Sequence, residues 1–318
     1  MTHRTHRPHS ARSARRPRAR ALLPLVALAG LGTALAGCDE PLADPALLED
    51  TRVLAARVEV DGAPGRASPA AGELATVRWL VPSPRAEVRL AHAFAVCEAA
   101  DAAAGVPSCA KPPFAVVRAE LPAADAPSVS FRVPDDAQAG SLAVLGVICE
   151  DAPPAPGSTE ACAPEARFAQ RVSLVVPLGT GNGNPDLTAA AVTLGADALS
   201  PADPGAAPGE ACAQSPVEIR RVRPGATLRL AVEPAPSARE PIDPADGAEL
   251  EPLRVSWVAS AGELASSVAW IEGSATAADV ELTAPSAPAD GRLVRLWIVA
   301  RDSRGGVDWT TRAYCAAP

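Results

Sequence analysis

Histidine, lysine, tyrosine and methionine are almost missing from this chain of 318 residues, which has four His and one each of Lys, Tyr and Met. Three of the histidines, His3, His6 and His9, sit at the N-terminus, so His92 stands alone in the body of the sequence. An active site needs several convergent titratable groups, and this inventory leaves few to converge. There is no CxxC pair to start a zinc site and no GxSxG elbow to present a nucleophilic serine. Long helical periods are absent as well. The 34 prolines would each cost a helix interior about 3 kcal/mol, which excludes a helical bundle. With 23 glycines they reach about 18% of the chain, below the ~25–30% of low-complexity sequence. Hydrophobic residues supply 48%, enough for packed cores, and the length suits about two domains.

Acidic residues are missing from one place in particular. Residues 1–37 contain no Asp or Glu and carry seven arginines. A basic stretch, 1–20, precedes an apolar one, 21–37 (ALLPLVALAGLGTALAG), interrupted by Pro24, Gly30 and Gly32. A bilayer span needs about 20 apolar residues, so this run reads as the hydrophobic region of a secretory signal. Arg15-Arg16 lacks the hydrophobic residue expected after a twin-arginine motif and is discounted. The end of the run, Leu35-Ala36-Gly37-Cys38, resembles the lipobox of bacterial lipoproteins. The resemblance implies a diacylglyceryl group on Cys38, cleavage before it and acylation of the new amine. Several acyl chains anchor firmly where one is marginal, so the expected location is the cell envelope, on either membrane, with the globular part outside the cytoplasm. Removing 1–37 leaves 22 basic and 37 acidic residues, a balance of −15 that repels nucleic acid.

Seven cysteines, at 38, 97, 109, 149, 162, 212 and 315, are an odd count for an exported protein. Assigning Cys38 to lipid leaves six for three disulfides in an oxidising compartment. Fifteen pairings are possible. Local spacing favours Cys97 with Cys109 and Cys149 with Cys162, each bracketing a Pro/Ala-rich loop after an apolar run, and leaves Cys212 with Cys315.

Residues 38–50 form an acidic segment broken by two prolines, read as a tether. Strand-like runs follow at 51–60, 74–81, 87–97, 129–133, 142–149 and 168–176, each bounded by Pro, Gly or Asp. In 87–97 (EVRLAHAFAVC) the alternation sets Val88, Leu90, His92, Phe94 and Val96 on one face and small residues on the other. Residues 177–186 (PLGTGNGNPD) read as a linker, since no Lys follows in P-loop register. A calcium loop of Asn182, Asn184 and Asp186 lacks a closing Glu. A second domain, 187–318, carries strands at 217–222, 227–233, 253–258 and 280–283. Then 293–301 (LVRLWIVAR) and 308–315 (DWTTRAYC) form a hairpin across a Gly-Gly turn. The expected class is therefore all-β, with one β-sandwich over 51–176 and another over 187–318.

The hairpin carries a resemblance. Trp257 with Gly262, the Thr283-Ala284-Pro285 turn and the run from Trp297 through Asp302 to Gly306 are similar to the late strands of bacterial immunoglobulin-like and PKD-like domains. More broadly the chain resembles envelope lipoproteins of high-GC, myxobacterial-type bacteria. The resemblance implies two tandem immunoglobulin-like sandwiches and no particular reaction.

The remaining candidates for chemistry have plainer readings. His92 falls among apolar neighbours, as a hydrogen-bonded core histidine would. Lys111 follows Cys109 in a Pro-rich loop, and Asp135-Asp136 look like solvated turn acids. No catalytic residue, metal or cofactor is expected. Of the five tryptophans, Trp79 and Trp257 fit core positions; Trp270, Trp297 and Trp309 are many for one small domain and are candidates for stacking on a sugar or anchoring a protein. The expectation is a lipid-anchored, non-catalytic binding or scaffold module whose partner is an envelope protein or glycan. The alternative is an accessory lipoprotein that captures an extracellular carbohydrate or peptide on exposed tryptophans.

Overall fold

The computed structural model describes residues 44–318 apart from 86–87, 101–106, 122–125, 138–139, 180, 203–211, 213–218 and 243–248. Cys38 and residues 1–37 lie outside the described residues, as do 217–218 of one expected strand. Ala43–Pro318 cluster as one compact unit. It is all-β, with a short 3-10 turn at Pro236–Ala238.

Seven strands come first: β1 (Ala55–Val60), β2 (Leu74–Leu80), β3 (Leu90–Glu98), β4 (Ala115–Leu121), β5 (Ser128–Arg132), β6 (Ser141–Glu150) and β7 (Phe168–Pro177). They make a three-stranded antiparallel sheet, β1-β2-β5, and a four-stranded one, β4-β3-β6-β7. The sheets share a core. Val58, Val77, Trp79, Val129 and Phe131 face Leu90, Phe94, Val96, Val144 and Ile148, all buried. Their period-two placement along each strand is what made the strands legible. Trp79 stacks on Phe94 with ring centroids 4.0 Å apart. The sheet must also come close to itself: a Cβ on Gly146 would lie 2.4 Å from the Ala93 carbonyl oxygen, so only glycine fits there.

Ten strands follow: β8 (Ala191–Leu194), β9 (Asp197–Ala198), β10 (Arg221–Val222), β11 (Thr227–Glu233), β12 (Leu253–Ala259), β13 (Glu263–Leu264), β14 (Val268–Ile271), β15 (Ala278–Thr283), β16 (Arg292–Arg301) and β17 (Val307–Ala316). One five-stranded sheet runs β13-β15-β11-β8-β9 and the other β10-β17-β16-β12-β14, in which β10 pairs with β17 in parallel. Leu194, Leu230, Val232 and Leu282 from the first meet Val255, Trp257, Ile271, Ile298 and Tyr314 from the second in one buried cluster. The expected hairpin is present, with Arg301 opposite Val307 at its turn. Strands β4, β8, β9, β13 and β14 were not foreseen. β4 follows Lys111-Pro112-Pro113, and β13 and β14 are two and four residues long, too short to show a period.

Candidate functional site

The five-stranded sheet containing β16 has two occupied faces. Pairing puts Trp270 opposite Arg254, Arg254 opposite Arg301, Val258 opposite Trp297, and Val299 opposite Trp309, so these side chains share the face turned away from the Trp257 core. Most of that face is covered by the first sandwich. Leu48, Val258 and Trp297 form one buried cluster, joined by Leu54 and Leu80; Ala55, Val299 and Val307 form another, joined by Trp309. Trp297 is therefore only 4% exposed. Trp309 lies beneath the Arg57 guanidinium, 5.4 Å from the ring centroid. Trp270, on the edge strand β14, remains 52% exposed. The three candidate tryptophans thus lie on one sheet face, but the structure leaves a single one open.

Polar contacts fix the same seam. Arg57 pairs with Glu59 and with Asp308, and Arg78 donates to Glu59 at 2.9 Å. Burial alone would raise the Glu59 carboxyl; the hydrogen bonds from Arg57 and Arg78 outweigh it and hold the group below its usual range. Asp308, itself buried, accepts the Leu187 N–H at 2.8 Å. Arg301 donates to the Leu54 carbonyl and, at 3.3 Å, to Ser256 Oγ. The segment 177–186, expected as a linker, is hydrogen-bonded on both sides. Asn184 Nδ2 donates to the Val58 carbonyl at 2.7 Å while its Oδ1 accepts the Val307 N–H at 3.0 Å. Asp186 accepts Thr188 N–H, and Asn182 is buried beside Asp302. Asp186 and Asn184 thus spend side-chain oxygens on a turn and on the seam. Part of the acidic segment is docked too: Leu48 N–H donates to the Ala259 carbonyl and Ala259 N–H to that of Ala46, both at 2.8 Å.

A cavity of about 430 Å³ opens beside the seam, lined by Arg66, Gly183, Glu240 and Arg304 among others. Its charges are matched internally. Arg66 pairs with Glu73, and Arg304 with both Glu240 and the buried Glu251. Burial, with Glu251 adding to it, pushes the Asp302 carboxyl upward against the pull of the Arg304 and Gly306 N–H groups.

His92 is 1% exposed and stacks on Phe94, with centroids 4.6 Å apart. Burial is as expected, but neither ring nitrogen makes a hydrogen bond of regular geometry. Desolvation lowers its pKa to about 4, the Ser128 backbone opposing only in part. Lys111 is exposed and pairs with Glu98 at 2.9 Å, and Asp135 and Asp136 lie in a turn. All three expected disulfides are present: Cys97–Cys109, Cys149–Cys162 and Cys212–Cys315, the last across a sequence separation of 103. They belong to an oxidising compartment outside the cytoplasm. Among the described residues no helix is long and apolar enough to cross a membrane, and no three His, Cys, Asp or Glu side chains gather to hold a metal ion.

Two residues that matter here were not singled out from the sequence, Arg254 and Arg301. Alternation along LRVSWVA and LVRLWIVAR places each outward, but only the pairing of β12 with β16 sets them side by side. Comparison with known proteins adds little. No family model and no curated protein matches the chain. A solved structure of red sea bream transglutaminase aligns at 10% identity and a TM-score of 0.27, over 85% of this chain; the chain spans about a third of that protein's length (32%).

Proposed function

We propose that this is a lipid-anchored envelope protein whose two tandem immunoglobulin-like sandwiches act as one rigid, non-catalytic binding or scaffold module. The sheet pairs support the immunoglobulin-like reading, since each half packs two sheets over one core and one sheet of each pair carries that half's last hairpin. The observation that carries the functional reading is the seam. Trp297, Trp309, Arg57 and Asp308 are spent on locking one sandwich against the other, which presents loops and sheet edges in fixed geometry and uses buried groups for packing. Lipidation of Cys38 follows from the lipobox-like residues and evens the cysteine count.

The test is intact-mass measurement on protein extracted from membranes with detergent, before and after reduction. The expected product begins at Cys38, carries acyl chains and gains six hydrogens on reduction, as three disulfides require. A water-soluble, unacylated chain that retains residues 1–37 overturns the anchor. The alternative, capture of a carbohydrate or peptide on tryptophan, is favoured by one observation, the 52% exposure of Trp270.

A further inference from the structure

Across the open end of the β16 sheet, one cross-strand row reads Trp270 on β14, Arg254 on β12 and Arg301 on β16. Directly opposed residues have Cβ atoms about 4.5–5.5 Å apart, so the indole and both guanidiniums form one continuous strip. Ile271, Leu253 and Ala300 alternate with them into the core, which keeps the strip outward. Trp270 and Arg254 are exposed and Arg301 is partly buried.

The charges of this strip are not matched. Nearly every arginine at the seam has a carboxylate: Arg57 has Glu59 and Asp308, and Arg304 has Glu240 and Glu251. Arg301 instead bonds the Leu54 carbonyl and Ser256, and the Arg254 side chain makes no ion pair or hydrogen bond among the described residues. Like charges directly opposed across a sheet are destabilising, and burial, with Arg254 adding to it, weakens the hold of Arg301 on its proton. In a chain of formal net charge −8, two adjacent cations without a carboxylate partner among the described residues mark a place where an anion would relieve repulsion. The exposed indole beside them is a flat apolar platform.

We infer that Trp270, Arg254 and Arg301 bind a carboxylate-bearing sugar unit of an acidic polysaccharide. The pyranose C–H face stacks on the indole, and the carboxylate takes the planar fork of Arg254, with the fixed charge of Arg301 behind it. A sugar acid needs a plane to stack on and a cation for its carboxylate, and the strip supplies both. At physiological ionic strength the Debye length is about 8 Å, so the chain's overall negative charge is screened and the local pair decides. This rests on the reading of the protein as a binding module and names the ligand class that the module takes.

Affinity electrophoresis of the full chain in gels containing polygalacturonate, dextran or poly-glutamate tests it. Retardation by polygalacturonate and not by dextran is expected, falling at least tenfold in Trp270→Ala and in Arg254→Ala. Phe114→Ala, which trims an exposed aromatic on the other sandwich, should leave it unchanged. Circular dichroism on each variant confirms that it folds. Equal retardation by dextran, or retardation indifferent to Arg254→Ala, overturns the inference. So does binding of poly-glutamate in place of the polysaccharide, although the binding-module reading then stands. Shortening of the polygalacturonate chains would instead break the non-catalytic reading while leaving the site in place.

Discussion

Strands β3 and β16 are the central strands of their sheets and both are buried on both faces, yet they achieve it with opposite side chains. Away from its core, β3 presents Ala91 and Ala93, and the loop closed by Cys149–Cys162 lies directly on them. That cover is clamped at its two sides. Arg118 donates to the Ala155 and Ser158 carbonyls, and Arg171 to that of Glu160, both arginines lying in the same cross-strand row as Ala93 and Val147. Away from its own core, β16 presents Trp297 and Val299, and what covers them is another sandwich. Small outward residues admit a local loop, whereas large ones need a large neighbour to bury them. The size of a strand's second face therefore says whether it is sealed from within or docked against something else.

Disulfide removal should separate the two halves most. Cys212→Ser with Cys315→Ser opens a loop spanning 103 residues, for which chain entropy gives a loss of about 4.7 kcal/mol; Cys149→Ser with Cys162→Ser, spanning 13, should lose about 3 kcal/mol. Urea midpoints at constant slope measure both, and equal losses would mean that loop length is not what distinguishes them. Trp297→Ala comes next, at about 4 kcal/mol for a fully buried tryptophan. Its sharper readout is amide hydrogen exchange. Protection should fall in β3 as well as in β16 if the seam makes the halves cooperative, and in β16 alone if it does not.

Much of this could be read from the sequence. The all-β class and the late hairpin follow from proline density and period-two runs, two cysteine pairs follow from local spacing, and the third is what those two leave. What could not be read is which outward faces meet. Trp297 and Trp309 read as candidate ligand platforms because a strand's alternation reports two faces without saying what lies on the second. The Gly/Asn segment read as a linker for a similar reason: turn-forming residues mark the bends, but Asn184 bonding Val58 and Val307 is a long-range fact. Arg254 and Arg301 are 47 positions apart in number and become neighbours only through register, which no local pattern specifies.

The two cores also differ toward acid, since only the first holds an imidazole. His92 has a pKa of about 4 when folded and about 6.5 when unfolded, so between those values the unfolded chain binds a proton that the folded chain refuses. Its contribution is intact above pH 6.5, declines as pH falls and is lost by about pH 4, a change of about 3 kcal/mol. Carboxylates held low by arginine, such as Glu59 and Asp279, lose their contributions lower in the pH range. His92→Leu should therefore flatten the stability profile between pH 6.5 and 4 relative to wild type; parallel profiles would show that the ring is protonated in the fold.

The smallest effect expected tests the rule about second faces itself. Ala93 has no exposed surface and lies under the Cys149–Cys162 loop, with Val147 and Arg118 beside it. Ala93→Leu inserts three carbons where the cover sits, an overpacking worth about 1–3 kcal/mol. The sheet cannot move away, because Gly146 already brings β6 against the Ala93 carbonyl, so the loop must give. Exchange should accelerate at Ala155 and Ala163, whose N–H groups close the loop on the Ala161 and Pro153 carbonyls, while β16 stays protected. Val299→Leu adds one carbon under the first sandwich and should instead loosen both sides of the seam. If Ala93→Leu leaves the loop amides as slow as before, the small residues of β3 are not what admits its cover, and the contrast with β16 has another cause.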